Sequence, residues 1–165
     1  MEELSLHLQL SKCQFAVPEV EYLGMIIRPN KIAMDPVKLD GIAPWPTLTK
    51  LKEVCSFLGF ANYYQHFIPK YSSIACPLID LTKKDHLWEW TPTCKKAFDD
   101  LKALFLKQPV LHVPNPSAPF AITTNTLKFA SGGVLLQADK NGDWHPCSYL
   151  SNFFLPAEWN YNVYD

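Results

Sequence analysis

Asp99 and Asp100 stand side by side in the 165-residue chain, and two adjacent carboxylates are a donor set that a divalent cation can use. Lys95 and Lys96 lie four residues before them, so on a helix each acid meets a lysine and the group reads as a solvated surface. Five cysteines (Cys13, Cys55, Cys76, Cys94, Cys147) offer thiolates, but no two are spaced as CxxC and the total is odd. That pattern argues for reduced thiols rather than a zinc site or a disulfide framework, and so for an intracellular protein, cytoplasmic or nuclear. The more unusual grouping is Lys52, Cys55, Ser56, Gly59, Asn62, Tyr63 and His66, which recur at helical spacing along one face of a single segment. Glycine inside a helix costs about 1 kcal/mol relative to alanine. Its place at the centre of a small, polar face therefore implies close approach of something, either a second helix or the backbone of a ligand. On spacing alone the helix contact is the ordinary reading.

The elements that would position these residues can be read from caps and periodicity. Thr49 is an N-cap for a helix from Lys50 that must stop before Pro69. Its core stripe is Leu51, Val54, Leu58, Ala61 and Gln65, widened by Phe57, Phe60, Tyr64, Phe67 and Ile68. Before it, Val20 to Ile27 reads as one strand, turned at Arg28-Pro29-Asn30-Lys31 into a return strand over Ile32 to Met34. Gly24 within that strand implies a bulge or a close backbone approach. Asp35 and Pro36 open a short helix to Ala43. After Pro69, Ser72 or Ser73 is placed to cap a second helix through Leu81, and Thr91-Pro92 opens a third that reaches Lys107. From Val110 the pattern is β: Val110 to Val113, Phe120 to Thr124, Gly133 to Gln137 and His145 to Leu150, with a hairpin tip at Lys140-Asn141-Gly142-Asp143. Residues 4–10 alternate apolar and polar, and a further helix is expected to begin near Pro156.

Composition bounds the partners. With 48% hydrophobic and 13% aromatic residues the chain can bury a core, and its net charge of −1 carries no global signature for nucleic acid. The distribution is uneven: residues 50–84 hold five lysines against two acids, whereas both flanking segments are net acidic. Neither a run of 18 apolar residues nor a basic, apolar leader is present, so no membrane partner is expected.

Several short motifs resemble the reverse transcriptase of gypsy-type LTR retrotransposons, in the order that family has them. Leu10 to Phe15 with Val20 to Gly24 resembles the end of its palm. Trp45-Pro46, Ser56 to Phe60, Asn62 to Tyr64, Phe67-Ile68 and Leu81 to Lys84 resemble its thumb. Trp88, Trp90, Ala97-Phe98, Leu101-Lys102 and Pro109 to Leu111 resemble the connection leading to RNase H. The resemblance implies an α+β fold: a palm-end β-hairpin in 1–35, a helical thumb in 36–84, a connection helix and linker in 85–118, and a truncated RNase H-like mixed β-sheet with a flanking helix in 119–165. It also implies roles. Tyr22 to Ile27, including Gly24, looks like the primer-grip hairpin. Cys55, Gly59, Asn62 and Tyr63 look like the thumb surface that follows the minor groove of a template–primer duplex, with Lys50, Lys52 and Lys70 meeting phosphates.

The same resemblance marks what departs from the pattern. Members of the family polymerise with Mg²⁺ held by palm carboxylates that include a Tyr-x-Asp-Asp turn, and that turn is expected before Met1. Where the family writes Thr-Asp-Ala-Ser-Asp-Phe-Ala, this chain has Thr124-Asn125-Thr126-Leu127-Lys128-Phe129-Ala130. An amide at 125 in place of a metal-binding aspartate removes a principal charged ligand. The expected function is thus a piece of a reverse transcriptase/RNase H polyprotein, non-catalytic alone and without a bound cofactor. Its expected partners are an RNA–DNA or DNA duplex, bound weakly, and the remainder of the polyprotein. The competing readings are a scaffold protein retained by a host and a relic of a decayed element with no selected function.

Overall fold

The run Val20 to Ile27 does not make one strand. In the computed structural model, which describes residues 9–84, 86–127, 130–154 and 158, it is cut by a tight turn at Leu23-Gly24. The turn separates β1 (Val20–Tyr22) from β2 (Met25–Arg28), and a second turn at Pro29-Asn30 leads to β3 (Lys31–Met34). Leu23 (φ 50°) and Gly24 (φ 74°) both have positive φ, the backbone of a primed hairpin turn whose twist matches the strands it joins. A leucine at the first of these positions gives no turn signal, which is why the sequence pattern reads straight through it.

Asp35 accepts a hydrogen bond from the Val37 N–H at 2.9 Å and caps α1 (Pro36–Asp40). A proline-rich connector then leads to α2 (Leu51–Tyr63), which starts one residue later than the cap pattern indicates and ends well before Pro69. Thr49 takes part, but as a donor: its backbone N–H and hydroxyl both bond the Glu53 carboxylate, at 2.7 and 3.2 Å. The Thr49 N–H is the chief reason the Glu53 carboxyl sits below its usual range. A 3-10 turn (Gln65–Phe67) follows. Helix α3 (Tyr71–Asp80) enters through Lys70 in the left-handed region (φ 55°) rather than through a serine cap, and carries Pro77 inside it. Helix α4 (Pro92–Leu106) is capped by Thr91, whose side chain accepts from the Cys94 N–H. Lys95–Asp99 and Lys96–Asp100 pair at 2.6 and 2.7 Å on its exposed face, the arrangement their spacing implies.

Strand β4 (Val110–His112) returns to the first sheet, so its order is β1-β2-β3-β4. The second sheet is β5 (Phe120–Leu127), β6 (Ala130–Ala138) and β7 (Trp144–Phe153), in sequence order. The α+β class stands, but every described strand pair is antiparallel, where a mixed sheet was expected. The register between β6 and β7 shifts at Leu135/Leu136, where Leu135 faces Ser148, Leu136 faces Pro146, and Cys147 is the extra residue of a bulge. Buried Gln137 ties the proline-rich spacer to this sheet. Its side-chain oxygen accepts from the Asn115 N–H (2.7 Å), and its amide donates to the carbonyls of Asn115 (2.9 Å) and Ala118 (3.1 Å). The alternating stretch at residues 4–10, a strand or an amphipathic helix end, and the helix expected near Pro156 lie outside the described residues, apart from a 3-10 turn at Leu10–Lys12.

The core runs between the helices and the underside of the first sheet. Phe57 is fully buried, with edge contacts to Trp45 (5.5 Å) and Phe98 (4.7 Å), and Phe60 meets Phe105 at 5.5 Å. Val54, Leu58, Ala61, Tyr64, Phe67 and Ile68 join it, as the stripe implies, whereas Leu51 remains half exposed. Lys102 donates to the carbonyls of Ala43 (3.2 Å) and Trp45 (2.8 Å), fixing the proline-rich connector over α4.

Candidate nucleic-acid interface

The polar face of α2 is open. Lys52, Cys55, Ser56, Gly59, Asn62, Tyr63 and His66 are all exposed. A Cβ built on Gly59 would meet no described atom within 4 Å outside its own helix. The helix-against-helix reading of this glycine therefore does not hold within the described structure. The side that the amphipathic stripe assigns to the core is buried, and the side centred on Gly59 is a surface available to a ligand.

Across from Gly59 lies the β1–β2 turn. Glu21, Leu23, Gly24, Lys38, Gly59, Phe60, Tyr63 and Tyr64 line an open, shallow cleft of about 580 Å³. Three of the residues singled out from the sequence, Gly24, Gly59 and Tyr63, are thus brought together from positions far apart in the chain. Two tyrosine hydroxyls make the junction: Tyr63 donates to the Leu23 carbonyl at 2.6 Å, and Tyr64 to the Gly24 carbonyl at 2.9 Å. Burial pushes the Tyr64 hydroxyl above its ordinary pKa, with the neighbouring Tyr63, Asp35 and Glu21 adding to the shift, so it stays a donor at neutral pH. Gly24 makes the approach possible, because a Cβ there would stand 2.6 Å from the Tyr64 hydroxyl.

The other sequence-derived residues distribute around this cleft or leave it. Tyr22 is exposed at the end of β1, and Lys50, Lys52 and Cys55 are exposed at the start of α2, outside the cleft lining. Asn62 uses its side-chain oxygen to accept from the Tyr71 hydroxyl at 2.7 Å. Lys70 belongs elsewhere: with Pro69 and Ser73 it faces Thr123, Asn125, Gly132, Tyr149 and Ser151 across a narrower cleft of about 180 Å³ between α3 and the second sheet. Lys38 is among the cleft-lining residues that the sequence did not single out. Its Cε lies 4.0 Å from the place of a Gly24 Cβ, and its only signal was a cation on the short helix after Asp35-Pro36.

Asn125 is exposed on β5, paired with Gly132 of β6. Among the described residues no three His, Cys, Asp or Glu side chains converge. Asp139 is occupied at the β6–β7 tip. It accepts from the backbone N–H of Asn141 (2.8 Å) and Asp143 (3.0 Å) and pairs with His145 (3.2 Å), and these bonds, that of Asn141 foremost, hold its carboxyl below the usual range. Among the described residues no helix is long and apolar enough to cross a membrane.

Comparison with known proteins bears on both halves of this arrangement. Residues 90–165 match the RNase H-like domain found in reverse transcriptase. The whole chain is similar to a segment of the retrovirus-related Pol polyprotein from transposon 297 of Drosophila melanogaster, 37% identical over 164 residues. It is likewise similar to the transposon Tf2-3 polyprotein of Schizosaccharomyces pombe, 32% identical over 165 residues. These alignments take in 99% and 100% of the chain but only 15% and 12% of the polyproteins, so the chain spans a small part of the relatives it matches. Its fold is also that of a segment of the foamy viral protease-reverse transcriptase solved in complex with RNA/DNA hybrid. The TM-score is 0.70 at 24% identity, over 88% of this chain and 20% of that one. The dRH form of the same protein in complex with double-stranded DNA gives 0.70 at 23% identity, over 87% and 25% of the two chains. The similarity to the RNase H-like domain thus covers residues 90–165, and the similarity to retrotransposon polyproteins runs along the chain.

Proposed function

We propose that this chain is the palm-end hairpin, thumb and RNase H-like segment of a gypsy-type LTR retrotransposon reverse transcriptase, and that it binds an RNA–DNA or DNA duplex without catalysing a reaction by itself. The observation that carries the reading is the exposed Gly59 face of α2, which shares one cleft with the tip of the β1–β2 hairpin. Two surfaces at an angle, one of small and polar side chains and one a β-turn, suit a sugar–phosphate backbone passing between them. The relatives' descriptions as retrotransposon polyproteins and the nucleic-acid complexes of the foamy viral enzyme support it. Lys38, Lys50 and Lys52 supply the phosphate contacts, and Tyr22, Cys55 and Asn62 border the track. Asn125 marks the degenerate RNase H position, since an uncharged amide cannot replace a carboxylate ligand of Mg²⁺.

Filter binding to a short RNA–DNA hybrid tests this reading. Affinity is expected at low salt, falling with log salt at a slope of about −2 to −3 for two or three neutralised phosphates. Gly59→Leu is expected to weaken binding at least about tenfold while leaving thermal stability nearly unchanged, because the added side chain enters open space. Absence of binding at low salt, or a large loss of stability in Gly59→Leu, would overturn it.

A further inference from the structure

We propose that Tyr63 and Tyr64 are positioning residues that lock the β1–β2 turn onto the end of α2, so that the hairpin tip and the Gly59 face are held at a fixed angle as the two walls of the cleft. The inference rests on the duplex-binding reading for its consequence, but the lock itself is a property of the fold.

Adjacent residues of a regular helix point about 100° apart and do not serve one target. Here α2 ends at Tyr63, and Tyr64 follows with φ −100° and ψ 13°, outside the helical region. The two rings then stand perpendicular with centroids 4.8 Å apart, and both hydroxyls reach the same two-residue turn. The turn presents its carbonyls to them because Leu23 and Gly24 are both at positive φ. The Gly24 carbonyl accepts a second bond, from the Asp35 N–H at 3.1 Å, which ties the entry to α1 into the same junction.

The pairing reassigns a residue. Tyr63 lies on the exposed face of α2, where a tyrosine would ordinarily be read as a contact for the ligand, yet its hydroxyl is committed to Leu23. What the lock exposes instead is the apolar tip: Tyr22 is 58% and Leu23 is 64% solvent-exposed, held at a set distance from Gly59. A hairpin tip without this anchor would have only its own turn to orient it. Tyr64 is 3% exposed and also packs on Phe60 (5.0 Å) and Phe67 (6.2 Å), so the lock is seated in the core at one tyrosine and open to water at the other.

The test uses the full chain labelled with ¹³C at the carbonyls, with Tyr63→Phe, Tyr64→Phe and the double variant. Phenylalanine keeps each ring and removes only the hydroxyl. The Leu23 carbonyl resonance is expected to move in Tyr63→Phe and that of Gly24 in Tyr64→Phe. Hybrid affinity is expected to fall about threefold to tenfold in each single variant, the scale of one lost hydrogen bond. In the double variant it should fall by less than the product of the two, because both act on one turn. Unmoved carbonyl resonances overturn the lock. Moved resonances with unchanged affinity overturn its role in binding, as does an affinity loss in Tyr63→Phe without movement at Leu23, which makes the hydroxyl a direct contact. If the unmodified chain fails to bind hybrid at low salt, the duplex reading falls, and the carbonyl resonances alone decide whether the lock exists.

Discussion

The helices are tied to a β-sheet at two joints, and the joints are chemically unlike. At the end of α2, Tyr63 and Tyr64 reach a solvent-exposed turn of the first sheet. At the start of α3, Ser72 and β7 residue Ser151 exchange two hydrogen bonds: the Ser72 N–H donates to the Ser151 hydroxyl (2.9 Å), and the Ser72 hydroxyl donates to the Ser151 carbonyl (2.8 Å). Both serines are buried. Water can replace the lost partner of Tyr63 at the first joint but not that of either serine at the second, where an orphaned donor bears its full desolvation cost. The second sheet is therefore docked more firmly than the hairpin tip. The ring nitrogen of His66 lies 3.1 Å from the Tyr149 carbonyl and adds an exposed contact beside the buried pair.

Substitutions can break this comparison or sharpen it. The largest effect is expected for Ser151→Ala, which leaves the Ser72 N–H without its acceptor: a loss of about 1–3 kcal/mol, read as a fall of several degrees in Tm. If it costs no more than Tyr63→Phe, the distinction between a dry and a wet joint is wrong. Gly24→Ala follows, at about 1–2 kcal/mol for placing a Cβ at positive φ, plus the displacement of the Tyr64 hydroxyl. Combining it with Tyr64→Phe should relieve the steric part and leave the backbone part, which urea denaturation of the two variants and their combination would separate. Lys102→Met is expected to cost about 1 kcal/mol, since it removes the charged donor to two carbonyls but keeps the packing stem.

The smallest effect belongs to Asp139, part-exposed at the β6–β7 tip. Its carboxyl titrates lower folded than unfolded, so the contribution is present above the usual carboxylate range and is lost as the pH falls through the depressed folded value. Asp139→Asn should therefore change the amide resonances of Asn141 and Asp143 at neutral pH and differ little from the unmodified chain in strong acid. A difference that persists in acid would mean that the tip depends on shape rather than on charge.

Much of the fold was legible because it is written in local chemistry. Asp35-Pro36 and Thr91-Pro92 open helices where their caps and rings require, and the Lys95/Asp99 and Lys96/Asp100 pairs follow from helical spacing alone. The burial of Phe57, Leu58, Ala61 and Tyr64 follows from the stripe. What was not legible depends on partners distant in the chain. The turn at Leu23-Gly24 lacks the asparagine–glycine signature and is held by tyrosines forty residues away. Ser72 looks like a cap in isolation, but Ser151 claims its hydroxyl across the fold, and Lys70 takes the cap position. Lys38 carried no signal beyond being a cation on the short helix after Asp35-Pro36.

For the site the division is similar. Periodicity by itself determined that Lys52, Cys55, Gly59, Asn62 and Tyr63 share one face of a helix, because side-chain direction in a helix is set by the backbone repeat. It also showed that position 125 carries an amide, a matter of residue identity. Only the tertiary structure decided that the Gly59 face is open rather than packed, that the hairpin tip stands opposite it, and that Lys70 lies with Asn125 in a different cleft. Those facts depend on how separate elements are placed in space, and placement is settled by long-range hydrogen bonds and burial that no short window of sequence contains.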